Sequence, residues 1–231
     1  MSVKSVYLPQ PELRNGRVHI DGEEHHHLAV ARAEPDELLE IFDGTGNVWT
    51  AAVESVGKRE TVARIAEART VDREPEVILA LAMIRIAAFE FAIEKAVEVG
   101  VTRIVPFTAA RSNVAPGNRH DRWMRIVIEA AKQSKRYYLP ALDSPMTLEQ
   151  VLSIPAASKI MFAEREVGPL KSALAGLPVL YLIGPEGGWT DRELSTACNS
   201  GFHTVSLGAA ILKAETAAIV GAALIRYELG K

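Results

Sequence analysis

The chain carries two rhythms of apolar and polar positions. Up to about residue 70 the apolar runs are short: 5–8, 17–20, 37–42, 48–56 and 61–68, divided by the turn signals Asn15-Gly16, Asp21-Gly22, Asp43-Gly44 and Gly46-Asn47. Short strands with frequent turns predict a small β-barrel or sandwich. One short helix is predicted over 24–32. Residues 70–75 are polar and end in a proline, which disfavours helix before it, so they read as a linker.

Beyond the linker the period changes. Strands are predicted over 77–83, 103–107, 159–163, 179–183 and 203–207, and helices over 87–99, 119–137, 169–175, 190–200 and 214–228. In the first helix Phe89, Ile93, Ala96 and Val97 share a face, and Gly100 suits the position just past its end. Strands alternating with helices predict a parallel sheet covered on both faces. The run 217–225 is apolar all round, so it must be buried in the core or against another subunit.

One stretch stands out in this pattern. Val179 to Ile183 is an apolar strand, Gly184-Pro185-Glu186-Gly187-Gly188-Trp189 a glycine-rich turn, and Thr190 with Glu193 a capping-box signature for a new helix. Strand, tight loop and helix start describe a ligand cradle at the carboxyl end of a parallel strand. Gly184, Gly187 and Gly188 permit positive φ and close approach of backbone to ligand. Glu186 would repel a phosphate, so a cationic or amine-bearing ligand fits better. The competing reading is a plain turn that needs glycines for geometry alone. A second loop, 207–216, also joins a strand to a helix. Its backbone can read the edge of a flat heterocycle, with Leu207, Ile211 and Leu212 enclosing it.

Composition narrows the class. The 231 residues are 48% hydrophobic and 24% charged, ordinary for a globular protein, and the length allows two domains, 1–71 and 72–231. A single cysteine, Cys198, excludes an internal disulfide and a cysteine metal cluster. Residues 1–12 have no apolar core, and the run 216–225 is about half a membrane span. A cytoplasmic protein without a membrane segment is expected. His25-His26-His27 lacks a matched carboxylate or cysteine and reads as a polar helix start, so no metal is expected. There is no Ser-His-Asp or Cys-His set and no Walker loop.

Charge is unevenly spread. The net charge is −3, yet residues 111–136 hold seven basic and two acidic side chains, a local balance of +5. Positions 122, 125, 129, 132 and 136 follow helical spacing, and four of the five are basic. This is either a solvated helix face or a surface for RNA phosphates.

The paired loops bring a resemblance. Gly-Pro-Glu-Gly-Gly-Trp-Thr-x-x-Glu at 184–193 and Leu-Gly-x-x-Ile-Leu-Lys-x-Glu-Thr-Ala at 207–217 resemble the ribosomal RNA small subunit methyltransferase E family, part of the SPOUT class of knotted methyltransferases. Residues 94–101, Arg111-Ser112, Arg122-Trp123, 129–134, Arg136 and Pro140 also match. So do His25-His26 through Arg32 and Phe42-Asp43-Gly44 in the N-terminal part. The resemblance covers nearly the whole chain. It implies an α/β protein with a PUA-like, RNA-binding β-barrel at 1–71 and a SPOUT methyltransferase domain with a trefoil knot at 72–231.

It further implies S-adenosylmethionine as methyl donor and N3 of a uridine in 16S ribosomal RNA as acceptor. The partners it implies are small-subunit RNA or the assembled 30S subunit, and a second copy of the chain. On the family pattern Leu182, Ile183, Gly184, Glu186, Gly187, Gly188, Leu207, Gly208, Ile211, Leu212 and Thr216 hold the donor. For the transfer step itself, Arg111 or Lys213 would stabilise the uridine anion, and Glu186 would accept a proton. Arg32, Arg111, Arg122, Arg125, Lys132 and Arg136 would meet RNA. The chain departs from the pattern at Ser5, at Arg85-Ile86-Ala87-Ala88, at Ala210 and at Lys213, where the family carries other basic groups. Those changes motivate two alternatives: methylation of a different RNA, or a degenerate module that binds without turnover.

Overall fold

A computed structural model of the protein describes residues 3–164 and 168–230. Its contacts fall into two compact units. One is Met1–Arg73 with Ala131–Leu139; the other is Glu74–Ala130 with Pro140–Lys231.

The first unit holds β1 (Lys4–Tyr7), β2 (Glu12–Arg14), β3 (Arg17–Ile20), α1 (Gly22–Val30), β4 (Leu38–Phe42), β5 (Asn47–Val56) and β6 (Thr61–Thr70). The strands form one sheet in the order β1-β4-β5-β6-β3-β2. The β1–β4 pair is parallel and the others are antiparallel. Alternate side chains point inward, as a half-buried strand requires: Val18 and Ile20, Leu39 and Ile41, and Ala51 and Val53 share one core with Val6, Leu28 and Ala63. Register shifts at Thr50/Ala51 and Val53/Ser55 add local twist and bend the long β5–β6 ribbon. The edge strand β2, Glu-Leu-Arg, is exposed along its length. With one apolar residue it carries no alternation by which to foresee it.

The loop after β4 explains why residues 131–139 belong here. Asp43 accepts from Thr45 N (2.7 Å), Thr45 Oγ1 (2.7 Å), Asn47 N (3.2 Å) and Asn47 Nδ2 (2.7 Å). Gly46 then donates to the Tyr137 carbonyl at 3.1 Å, and Leu139 donates to the Gly44 carbonyl at 2.9 Å. Phe42 meets the Tyr137 ring edge-on. Gly46 has φ +97°, and a Cβ there would stand 2.5 Å from the Tyr138 ring. The 131–139 backbone is thus stitched to this loop. Lys132, almost fully buried, donates to Glu24 at 2.8 Å.

The second unit contains β7 (Val77–Ala82), α2 (Ile86–Glu98), β8 (Arg103–Thr108), α3 (His120–Ser134), β9 (Ala141–Leu142), β10 (Met146–Thr147), α4 (Leu148–Leu152), β11 (Ser158–Phe162), α5 (Leu170–Ala173), β12 (Val179–Ile183), α6 (Asp191–Asn199), β13 (His203–Val205) and α7 (Ala214–Glu228). Only the first eleven residues of α3 belong to it; Ala131–Ser134 group with the first unit. The sheet is parallel throughout, in the order β10-β8-β7-β12-β11-β13, with β9 beside β8. Strands β7 and β12 are buried at every residue, the mark of strands covered on both faces. Ile78, Ala80, Leu180 and Leu182 pack with Val151, Leu152, Ala197 and Phe202 of one face. On the other, the buried Tyr181 hydroxyl donates to the Ala218 carbonyl of α7 at 3.0 Å. Gly221 lets α7 close on β11, because a Cβ there would lie 2.8 Å from the Phe162 ring.

Helix α3 stops at Ser134 rather than 137. Lys135 takes φ +57° and the chain turns into its pairing with the 43–47 loop. Helix α7 is buried on one face only. Ala218, Gly221, Ala222 and Ile225 face inward, while Leu224 and Tyr227 are exposed in the single chain.

Two outcomes test the first unit. Burial raises the Asp43 carboxyl, but its four donors outweigh burial and hold it below the usual 3.8. A group depressed in the folded state contributes stability above its unfolded value and loses it as pH falls through the folded one. Unfolding free energy of the native chain should therefore drop below about pH 4 more steeply than that of Asp43→Asn, measured by urea melts across that window. Lys132→Met should cost about 2 kcal/mol by leaving the half-buried Glu24 without its cation, and the Glu24→Leu/Lys132→Met double variant should recover most of that loss in the same melts.

Candidate functional site

Because every strand of the second sheet is parallel, all its carboxyl ends open at one edge. Strands β12 and β13 lie on either side of β11. The glycine-rich loop 184–190 and the loop 206–213 therefore leave that edge flanking the end of β11. Loop 83–85 after β7 and loop 109–112 after β8 emerge beside them. This is where open α/β sheets hold ligands.

The first loop is organised by Trp189. Its indole N–H donates to the Phe162 carbonyl at the end of β11 at 2.9 Å, and its ring stacks near Phe107 of β8. Gly184 lies under that ring; a Cβ there would meet Trp189 Cε2 at 2.8 Å. Gly187 is needed for a second close approach, to Arg111 Cβ at 3.0 Å. Of the three glycines that permit positive φ, Gly188 takes it, at +68°. Gly184 and Gly187 serve proximity instead.

The capping box forms as expected. Glu193 N–H donates to Thr190 Oγ1 (3.2 Å), while Glu193 Oε2 accepts from Thr190 N (2.8 Å) and Thr190 Oγ1 (2.8 Å). The other carboxylate oxygen, Oε1, accepts from Ala110 N at 2.9 Å. Next to it Arg111 donates to the carbonyls of Gly187 (2.9 Å) and Trp189 (3.2 Å). The helix start, the glycine loop and the loop after β8 thus form one bonded cluster. Sequence spacing pointed to Thr190 and Glu193 as a cap but not to this longer-range use of Glu193.

Leu182 and Ile183 are buried in β12, so only their backbone can face a ligand. Leu207, Leu212 and Thr216 are half-buried, Gly208 is exposed, and Ile211 is 78% exposed. Gly208 has φ +120°, and a Cβ at Gly208 or Gly188 would meet nothing within 4 Å, so both backbones border open space. Lys213 is exposed at the N-cap of α7. Glu186 turns to the neighbouring loop. It accepts from Arg85 N at 3.3 Å and lies 3.5 Å from the Arg85 guanidinium. That ion pair is exposed and joins residues 101 apart, so no local pattern announces it.

The basic residues separate. Arg122 makes a two-pronged contact with Glu90, at 2.6 and 2.7 Å, whose hydrogen bonds raise the guanidinium pKa further. Lys132 is spent on Glu24, and Arg136 is only 5% exposed. Lys132 and Arg136, expected at a surface for RNA, are buried side chains. Burying a charge demands partners, so their helical spacing reflects packing. Arg125, Arg32 and Arg111 are exposed. The histidine run also divides: His25 is buried against Thr61 Oγ1 at 2.9 Å, and His26 and His27 are exposed.

Comparison with known proteins meets this geometry. The RNA methyltransferase domain family matches residues 72–226, and the RNA methyltransferase PUA domain family matches residues 20–66. Ribosomal RNA small subunit methyltransferase E of Mesomycoplasma hyopneumoniae is 37% identical over 205 residues, covering 84% of this chain and 86% of that protein. Its counterpart from Synechocystis sp. is 35% identical over 214 residues, covering 87% and 69%. The crystal structure of ribosomal RNA small subunit methyltransferase E from Neisseria gonorrhoeae, bound to S-adenosyl methionine, superposes with a TM-score of 0.91 at 31% identity over 98% of both chains. A putative methyltransferase from Legionella pneumophila, in complex with the same cofactor, gives 0.89 at 29% identity, again over 98% of both. With a catalytic-domain match across most of its length and relatives sharing about a third of its residues, the chain belongs to the ribosomal RNA small subunit methyltransferase E family.

Proposed function

We propose that this chain transfers a methyl group from S-adenosylmethionine to N3 of a uridine in 16S RNA of the small ribosomal subunit. The observation that carries the proposal is the full-length likeness to a relative bound to that donor, joined to two glycine-bearing loops flanking one strand end. The residues fit the donor. Gly188 and Gly208 border open space, so backbone groups can approach an adenine edge. Leu207, Ile211 and Leu212 offer apolar contact to its faces.

The donor supplies a methyl group on a positively charged sulfur, which leaves as a neutral thioether. Uridine N3 loses its proton as the new N–C bond forms, so the chain must favour an anion on the base and hold both partners in line. Arg111 and Lys213 are assigned the positive charge for that anion. Glu186 is assigned the proton, with Arg85 sharing its charge at the rim. N3 lies on the pairing edge, so the base must be unpaired or flipped out.

The division of labour proposed is RNA docking by residues 1–71 and transfer by 72–231, with Arg32, Arg111, Arg122 and Arg125 as cations toward RNA. Insertion of β12 between β7 and β11 agrees with the trefoil knot of the SPOUT class. Phe91, Leu224 and Tyr227 are exposed apolar side chains on α2 and α7, helices that pack on each other. A homodimer through this face would cover them. A ribosomal substrate places the work in the cytoplasm.

Two measurements decide these points. Purified protein with labelled donor and undermethylated small subunits should place label on N3 of a single uridine; label on another RNA, or none with the donor still bound, would remove the 16S assignment. Leu224→Glu should convert a dimer to a monomer in analytical ultracentrifugation, since burying that carboxylate unpaired is costly; an unchanged mass would exclude this face as the interface.

A further inference from the structure

We infer that Glu193 is a positioning residue of the transfer site, holding Arg111 between the two loops that face the donor. The inference rests on the function proposed above and adds a residue that acts without touching substrate. Glu193 is 7% exposed, so its carboxylate is turned into the protein.

A helix cap alone needs less than Glu193 supplies. One oxygen, Oε2, already satisfies Thr190 N and Thr190 Oγ1. The second, Oε1, reaches Ala110 N, 83 positions earlier in the chain. Bonds to a charged acceptor are shorter and stronger than neutral ones, so this contact is a firm anchor for the loop after β8. The loop is itself closed: Ser112 N donates to the Ala109 carbonyl at 3.0 Å, and Ala109 N donates to Ser112 Oγ at 3.1 Å. Fixing Ala110 within such a tight turn fixes where Arg111 begins.

From there the Arg111 guanidinium crosses to the carbonyls of Gly187 and Trp189. Among the described residues no carboxylate pairs with it, and its bonds are to these two carbonyls. The approach is tight: a Cβ at position 187 would stand 3.0 Å from Arg111 Cβ, closer than such contacts ordinarily come. Glu193 therefore sets the starting point of Arg111, and Arg111 sets the path of the glycine loop. A buried carboxylate, a neutral amide and an exposed cation act in series, and the donor-facing backbone is the last member.

A double-mutant cycle on the full-length protein tests this, with donor affinity read by calorimetry and stability by thermal melting. Glu193→Gln puts an NH2 where one donor must be accepted, and should weaken S-adenosylmethionine binding about tenfold. Arg111→Ala should weaken it to a similar extent. If Glu193 acts through Arg111, the double variant binds no more weakly than either single one. The melting temperature should fall with Glu193→Gln equally in both backgrounds, because the cap is lost in each. Multiplying losses, or a Glu193→Gln variant that binds the donor as the native chain does, would overturn the inference. Should Glu193→Gln fail to fold, Glu193→Asp, too short to reach both Thr190 and Ala110, carries the same cycle. A native chain that binds no donor would instead overturn the proposed function, and the inference with it.

Discussion

The structure of the second unit depends on one constraint: β12 lies between β7 and β11, parallel to both. A strand in that place must be apolar at every residue, because helices cover both of its faces. Val179 to Ile183 meets that demand, and none of its five residues is more than 2% exposed. Parallel order then forces the loops after β7, β8, β12 and β13 onto a single edge. The chemistry of the site is thus gathered by strand direction before any side chain is chosen. What the side chains add is fixation, through Trp189 on the Phe162 carbonyl, Arg111 on two carbonyls and Glu193 on two loops.

The same economy appears in the glycines. Gly184, Gly187 and Gly221 do not bend the chain into left-handed conformations; they admit a neighbour. Trp189 and Phe162 press against positions where a single added carbon would collide, and Arg111 against one where it would be crowded. Gly188 and Gly208 do the opposite, taking positive φ beside open space. One residue type serves two purposes within the same cleft, and only coordinates distinguish them.

Periodicity and local motifs carried much of this fold. The strand and helix spans from 77 to 107 and from 179 to 228 were legible because strong period switches and caps mark them. Thr190 and Glu193 announced a helix three residues apart, and the structure forms that cap. The losses have particular causes. Strands of two residues, such as β9 and β10, carry no alternation. Helix α4 did have a readable signal, the pair Thr147 and Gln150, which form a capping box in the structure. The basic helix misled because charge spacing records a face but not its partners. Glu90 and Glu24 lie 32 and 108 residues from the cations they meet, and no local window contains both ends of such a pair.

Residues 131–139 complete the first unit, yet the chain reaches them from the second unit and returns to it. The polypeptide therefore passes between the two bodies three times rather than once. A piece ending at the 70–75 linker would keep all six strands but lose the backbone that Gly44 and Gly46 bond and the ring that meets Phe42. This body is not a contiguous cassette: its boundary in space and its boundary along the gene do not coincide, so a recombination event at the linker would move an unfinished module.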